Sequence, residues 1–386
     1  MRYGVIGAGR QGTAAAYDMV THGAAEEVVL GDQDHDLARR AADRVNSLTD
    51  RRVAVAEHVD AADLDSVAAV VEPLDAFLCA TPFVLIPGCT RAAIAAGTSM
   101  VDLGGHTPTV IGQMALDDEA RAAEISIVPD CGMGPGMNNT LGLAAMEQLT
   151  ERGAVPKEVR VWDGGLPQTP RDPWGYELFF DIAGLTNEYD GMALVLRGGR
   201  VEEVETLTEG EMLEFDGIGA LEAFVTSGGT STVPYSLAGR LDVYENKTLR
   251  YPGHLAAFRA FKDLGLFTKE PVDVGADHVV PRDVYHALLG PRLGGGDGRD
   301  ICIIRAEAMG VRDGLEMRVR LELVDTYDET TGFSAMERLT GWHAAIMAEL
   351  IAAGEVSHGV RPVEAAVSPL RFLDEVAARG IRITRR

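Results

Sequence analysis

Long apolar runs are missing from this 386-residue chain, and none approaches the span of a bilayer. Positive charge is in deficit as well: 59 Asp and Glu stand against 35 Lys and Arg, a formal net charge of −24. Nucleic acid and anionic membrane would both be repelled, so neither is expected as a partner, and a solvated acidic surface is the plain account of the imbalance. Only four cysteines occur, Cys79, Cys89, Cys131 and Cys302, with no CxxC spacing. No basic–apolar leader precedes the first strand, so free thiols in a reducing cytosol, and a cytoplasmic location, are expected. The nine histidines form no HxxxH or HxH pair, so no metal site is expected. Lysine is scarce, at Lys157, Lys247, Lys262 and Lys269 only. Where any cation would serve this chain uses Arg, which gives a retained lysine slightly more weight as a chemical group.

What is present starts at the N-terminus. A β-prone run, Tyr3 to Ile6, leads into Gly7-Ala8-Gly9-Arg10-Gln11-Gly12 and then an Ala-rich helical segment, Thr13 to Thr21. Gly7 suits a tight turn, Gly9 lets backbone approach a pyrophosphate, and Gly12 lets helix pack on strand, while the helix N-terminus offers N–H groups to phosphate. Val28-Val29-Leu30 reads as a second strand ending in Gly31-Asp32, with Asp32 twenty residues beyond Gly12. A carboxylate there accepts hydrogen bonds from both adenosine ribose hydroxyls and repels a 2′-phosphate, which favours NAD over NADP as cofactor. Asp34 and Asp36 follow, and one of the three acids is needed to cap the next helix. Arg10 and Gln11, Gln33 beside Asp32, Thr81 and Pro82, and Asp102 and Gly104 at later strand ends complete the expected cofactor-binding set.

The βα alternation continues through strands at 52–56, 75–80, 99–103 and 125–129, with helices at 36–48, 61–71, 87–96 and 113–123. Six strands with intervening helices predict a Rossmann-type doubly wound parallel sheet of α/β class over residues 1–135. From Asp130 to Asn139 three glycines and a proline form a constrained turn, at once a hinge and a set of amides facing a ligand. Residues 136–330 predict a second, mixed α+β domain for substrate binding and dimerisation, with strands at 159–162, 193–196, 200–205, 221–226, 246–251, 301–308 and 317–324. Its segment 174–182 reads as strand or short helix, and helices are expected at 254–264 and 282–289. Residues 331–386 open with one long helix, 332–353, expected to return to the first domain.

Four stretches carry a family resemblance: Asp130 to Asn139, Gly164-Gly165-Leu166-Pro167, Thr226-Ser227-Gly228-Gly229-Thr230-Ser231-Thr232, and Lys247-Thr248-Leu249-Arg250-Tyr251-Pro252-Gly253-His254. With the N-terminal fingerprint they resemble, in order and over nearly the whole chain, the saccharopine dehydrogenase superfamily. Within it the TSGGTST and TLRYPGH stretches most resemble the L-lysine 6-dehydrogenase branch. That resemblance implies NAD-dependent oxidative deamination of the ε-amine of L-lysine to 2-aminoadipate 6-semialdehyde, which cyclises to Δ1-piperideine-6-carboxylate, with release of ammonia. A homodimer is also what the family suggests. Two alternatives remain: a saccharopine-forming or -cleaving reductase on the same fold, and a non-catalytic NAD-binding sensor.

Oxidising a C–N bond requires a neutral amine, and a free lysine amine has a pKa of about 10.4, so desolvation or a base must favour the neutral form. Arg250 is the candidate clamp for a substrate carboxylate, with Thr248 on the same strand face and Lys247 on the other. Tyr176, Phe179 and Phe180 are candidates to flank an aliphatic stem, with Met133, Gly134 and Thr230 also expected to bind substrate. Asp130, His254 and Lys247 are the candidate acid/base groups, and His106 is a further histidine placed to relay a proton. Each has a structural alternative: a turn-capping Asp, a satisfied histidine, a surface cation.

Overall fold

The computed structural model describes residues 1–385. Six parallel strands come first: β1 (Arg2–Ile6), β2 (Glu27–Asp32), β3 (Ala54–His58), β4 (Ala76–Cys79), β5 (Ser99–Asp102) and β6 (Ser126–Val128). They alternate with α1 (Arg10–Thr21), α2 (His35–Thr49), α3 (Leu64–Val71), α4 (Ile86–Ala96), α5 (Thr107–Met114) and α6 (Asp117–Ala122). The spatial order 3-2-1-4-5-6 reverses between β1 and β4, which opens a crevice beyond their carboxyl ends. The helix expected at 113–123 is two short ones, because the chain turns at Ala115-Leu116.

After β6 the chain crosses through α7 (Met137–Glu151) into the second sheet. There β7 (Val155–Pro167) is much longer than the strand read from the sequence. β8 (Met192–Arg197), β9 (Arg200–Glu205), β10 (Glu211–Phe215), β11 (Gly219–Phe224) and β12 (Val243–Arg250) follow, with α8 (Ile182–Tyr189) and α9 (Val233–Ser236) between them. Then come α10 (His254–Asp263), a small hairpin β13–β14 (Val272–Val274, Asp277–Val279), α11 (Pro281–Leu293), and the long hairpin β15–β16 (Asp300–Arg312, Leu315–Thr326). The sheet runs β10-β11-β12-β7-β15-β16, with β8–β9 branching from β12; β12 and β7 are parallel and the rest antiparallel. The stretch expected at 174–182 is irregular from 174 to 181, and α8 begins only at Ile182, where Asp181 caps it by accepting from the Ala183 and Gly184 amides.

The C-terminal segment divides between the sheets. α12 (Ala335–Ala352), opened by a Ser334–Glu337 capping box, lies along α1. Gly341 permits the approach, since a Cβ there would sit 2.7 Å from the Gln11 carbonyl oxygen and 2.8 Å from the Ala15 nitrogen. β17 (Gly359–Val360) adds a seventh parallel strand beside β6, and α13 (Val363–Ala366) and α14 (Pro369–Ala378) pack on α7. The last strand, β18 (Ile383–Arg385), pairs instead with β16 of the second sheet, so the expected wholesale return of 331–386 to the first domain is corrected. No helix among the described residues is long and apolar enough to cross a membrane.

Just after α14, Arg379 reaches back to the start of the chain. Its buried guanidinium bonds Asp18 of α1 at 2.8 Å and Glu349 of α12 at 2.6 Å. Removing one partner of a buried pair leaves the other charge uncompensated, at a cost of about 3–5 kcal/mol. Arg379→Ala is therefore expected to lower unfolding stability by that order, read as a fall in the denaturant midpoint.

Candidate active site

The crevice is built by the glycines. Gly7 has φ +106°, and a Cβ on it would meet the Ala80 carbonyl oxygen at 2.5 Å; a Cβ on Gly12 would lie 2.1 Å from the Gly7 carbonyl oxygen. A Cβ on Gly9 would meet nothing within 4 Å, so that side of the turn is open where a pyrophosphate approaches. Asp32 accepts from the Ala8 amide at 2.9 Å and the Asp34 amide at 2.9 Å, whereas Asp34 caps α2 through Asp36 and Leu37. Asp32 is thus the acid at the crevice. The residues present fit a dinucleotide. Arg10 is tied to Glu337 of α12 at 2.5 Å, Thr81 and Pro82 lie at the mouth of the crevice, and Gln33 is exposed beside it.

Asp102 is corrected as a direct cofactor contact, whereas Gly104 borders the cavity over the crevice. Asp102 is fully buried, taking Gln113 Nε2 at 2.7 Å and the Asp130 amide at 3.3 Å, and burial pushes its carboxyl up to about 6. Gly104 serves Asp130: a Cβ on it would fall 1.6 Å from Asp130 Oδ1.

Over the crevice lies a cavity of about 260 Å³ between the two sheets. Gln11, Phe83, Gly105, Met133 and Gly134 bound its lower side, with Met336 and Thr340 of α12. Asn246, Thr248 and Arg250 face it from alternate positions of β12, and Asp163 and Gly164 from β7. Gly164 has no room for a side chain, because a Cβ would meet the Leu249 carbonyl oxygen at 2.4 Å. Tyr176, Phe180 and Glu188 close the far side.

Arg250 is held from behind. Nε donates to the Tyr189 hydroxyl at 2.8 Å and Nη1 to the Leu249 carbonyl at 2.9 Å, while the guanidinium lies 4.8 Å from the Tyr176 ring centre. Tyr189 in turn contacts His254 Nε2 at 2.9 Å, and His254 Nδ1 lies 3.0 Å from the Trp174 carbonyl. A carbonyl only accepts, so Nδ1 carries the proton and Nε2 accepts from Tyr189. Burial and the neighbouring Arg250 hold the imidazole well below its usual range, so it is neutral. His254 therefore positions Arg250 through Tyr189, and its expected acid/base role is corrected: the ring is buried and does not line the cavity.

Lys247 points to the opposite face of β12 and pairs with Glu211 at 3.0 Å, away from the cavity. Asp130 is buried in a clasp between the domains, accepting from the Gly105 amide at 3.0 Å and the Ser231 hydroxyl, and is not exposed to substrate. Phe179 is buried behind the wall that Tyr176 and Phe180 form. Thr230 donates to the Leu194 carbonyl at 2.8 Å and lines an adjoining lobe of about 430 Å³, shared with His106, Lys269 and Arg282.

Among the cavity residues not anticipated from the sequence, Asp163, Asn246 and Glu188 bear most on its chemistry. Asp163 Oδ1 accepts from Asn246 and, at 3.5 Å, from Asn138; burial pushes its carboxyl up to about 6 against these amides and Arg250. Glu188 lies 3.8 Å from Arg250 Nη2, and burial pushes it up to about 7, opposed by Arg250. Alternation from Thr248 gives Asn246, and Asp163 immediately precedes the GGLP stretch. Glu188 has no local signal.

A dinucleotide crevice roofed by a charged cavity defines an NAD(P)-binding protein with a second, substrate-facing domain. The chain belongs to the saccharopine dehydrogenase family: the family's NADP binding domain profile matches residues 3–128 and its C-terminal domain profile residues 132–381. Bovine mitochondrial alpha-aminoadipic semialdehyde synthase is 22% identical over 360 residues, covering 76% of this chain and 38% of that protein. Saccharopine dehydrogenase [NADP(+), L-glutamate-forming] from Saccharomyces cerevisiae is 20% identical over 241 residues, 61% of this chain and 53% of that one. The chain thus spans well under two thirds of the length of either relative. In fold it matches the apo saccharopine dehydrogenase (L-Glu forming) structure from S. cerevisiae at a TM-score of 0.80, with 17% identity and 100% and 99% of the two chains covered.

Gly12→Ala is expected to abolish cofactor binding without unfolding the protein, because its Cβ collides with the turn itself. Asp32→Ala should weaken NAD more than NADP, by about tenfold for a lost charge-assisted hydrogen bond. Fluorescence titration with the two reduced cofactors checks both.

Proposed function

We propose that the protein oxidatively deaminates the ε-amine of L-lysine with NAD, giving 2-aminoadipate 6-semialdehyde and ammonia. The observation that carries this reading is the charge balance of the cavity, one guanidinium facing two carboxylates. Lysine brings one carboxylate and two amines, which complements that set, whereas saccharopine brings three carboxylates to a single Arg. Asp32, at the end of β2, supports NAD over NADP.

Arg250, backed by Tyr189, pairs with the α-carboxylate through Nη2 and the free proton of Nη1. Tyr176, Phe180 and Met133 shelter the aliphatic stem. Asp163, beside the turn that carries Met133 and Gly134, takes a proton from the ε-ammonium so that the amine is neutral when its carbon is oxidised. The bound nicotinamide supplies the hydride acceptor. Water then adds to the substrate iminium, and ammonia leaves. A second reading, saccharopine cleavage, is favoured only by the adjoining lobe, where Lys269 offers a further cation.

The test is cofactor reduction with L-lysine, L-ornithine or saccharopine, each with NAD and with NADP, the cyclic imine being trapped by an aminobenzaldehyde. Lysine-dependent reduction of NAD is expected; saccharopine alone as substrate would favour the second reading. Activity should rise toward alkaline pH, with kcat/KM falling through about pH 7 and then about pH 6 as the cavity carboxylates Glu188 and Asp163 are protonated. Asp163→Asn should cost about 10²–10⁴-fold in kcat and remove the lower of these two steps.

A further inference from the structure

Glu188, the penultimate residue of α8, lines the cavity, while its neighbour Tyr189 turns inward to hold Arg250. The backbone at this point is pinned from the TSGG loop: the Ser227 amide donates to the Glu188 carbonyl at 2.8 Å, and the Ser227 hydroxyl to the Asn187 carbonyl at 2.8 Å. The Glu188 side chain accepts no hydrogen bond from the described residues. Its cation neighbour, Arg250 Nη2, stands at 3.8 Å, within ion-pair range but beyond a hydrogen bond. Arg250 has committed Nε and one Nη1 proton, which leaves Nη2 free. An unjoined carboxylate and guanidinium therefore sit side by side on one wall of the cavity.

An α-amino acid carries the complementary pair, a carboxylate and an ammonium on one carbon. We propose that Glu188 is the specificity-determining residue that takes the substrate's α-ammonium while Arg250 takes the α-carboxylate, so that the site selects α-amino acids over simple amines. The assignment rests on the amino-acid reading above. Seating the head group there leaves the four-carbon stem to reach back toward Asp163 and the Met133–Gly134 turn. Burial disfavours the charged form of Glu188, with Asp163 adding to the effect and Arg250 opposing it. An arriving ammonium supplies the counter-charge and the hydrogen bonds that the protein itself withholds.

The probe is 6-aminohexanoate, which is lysine without its α-amino group. Calorimetric titration of the cofactor-loaded, full-length protein compares the two ligands for wild type, Glu188→Gln and Glu188→Ala. Wild type is expected to prefer L-lysine. Both variants should weaken L-lysine by about ten- to a hundredfold and collapse the preference, the loss appearing in KM more than in kcat. Thermal melting confirms that a variant is folded, and the alanine form replaces the glutamine form if the latter is not. Equal affinities in wild type, or a preference retained in a folded variant, would overturn the assignment. A preference that depends on Glu188 without cofactor reduction by L-lysine would instead overturn the proposed reaction and leave this assignment standing.

Discussion

Asp130 holds together two regions that no covalent hinge would fix. It leaves β6 with φ +62°, is buried, and accepts from the Gly105 amide of the first domain and from Ser231 of the TSGGTST loop of the second. A charge-assisted hydrogen bond in such surroundings is worth about 1.5–3 kcal/mol. Its reach is longer than its energy suggests. Ser231, also at positive φ, anchors the loop whose Ser227 pins the carbonyls of Asn187 and Glu188. The Asp130 carboxylate thus helps register the cavity wall against the cofactor crevice, together with Asn138, which donates to the Gly229 carbonyl at 3.0 Å; Gly104 cannot carry a side chain because it would strike that carboxylate.

A second line of support runs from Trp174 through His254 and Tyr189 to Arg250. Among the described residues Arg250 is the one cation lining this cavity; neutral groups orient it, and its contact with a protein carboxylate is a long one, 3.8 Å to Glu188. Glu188 is left in the same condition on the opposite sign. Opposite charges held beyond hydrogen-bond distance of each other cost stability, and sites that do chemistry are where such costs are kept.

The sequence makes some of this plain and hides the rest for physical reasons. The glycine turn, Asp32 and the strand order are local: each depends on φ, on a missing Cβ, or on a period of two, and these are written in neighbouring residues. The same holds for Thr248 and Arg250 on one face of β12 and Lys247 on the other. Burial is not local. Asp130, His254 and Phe179 carry the residue types a site needs, yet their partners come from other elements and enclose them. Residues 174–181 take no regular form because their conformation is set by packing and by Asp181 capping α8, not by an apolar period. Glu188 is held at the site by the Ser227 loop and by its neighbour Tyr189 against Arg250, both distant in the chain, and nothing beside it announces that.

The Asp18–Arg379 pair joins groups 361 residues apart. During synthesis, the nucleotide-binding half emerges with a carboxylate whose partner has not yet been translated. Until the last helix arrives, Asp18 must stay hydrated or take up a proton, and α1 cannot close over it. The packing of α1 in the nucleotide-binding sheet is thus completed by a residue far along the chain, beyond strands β7 to β16 of the second sheet.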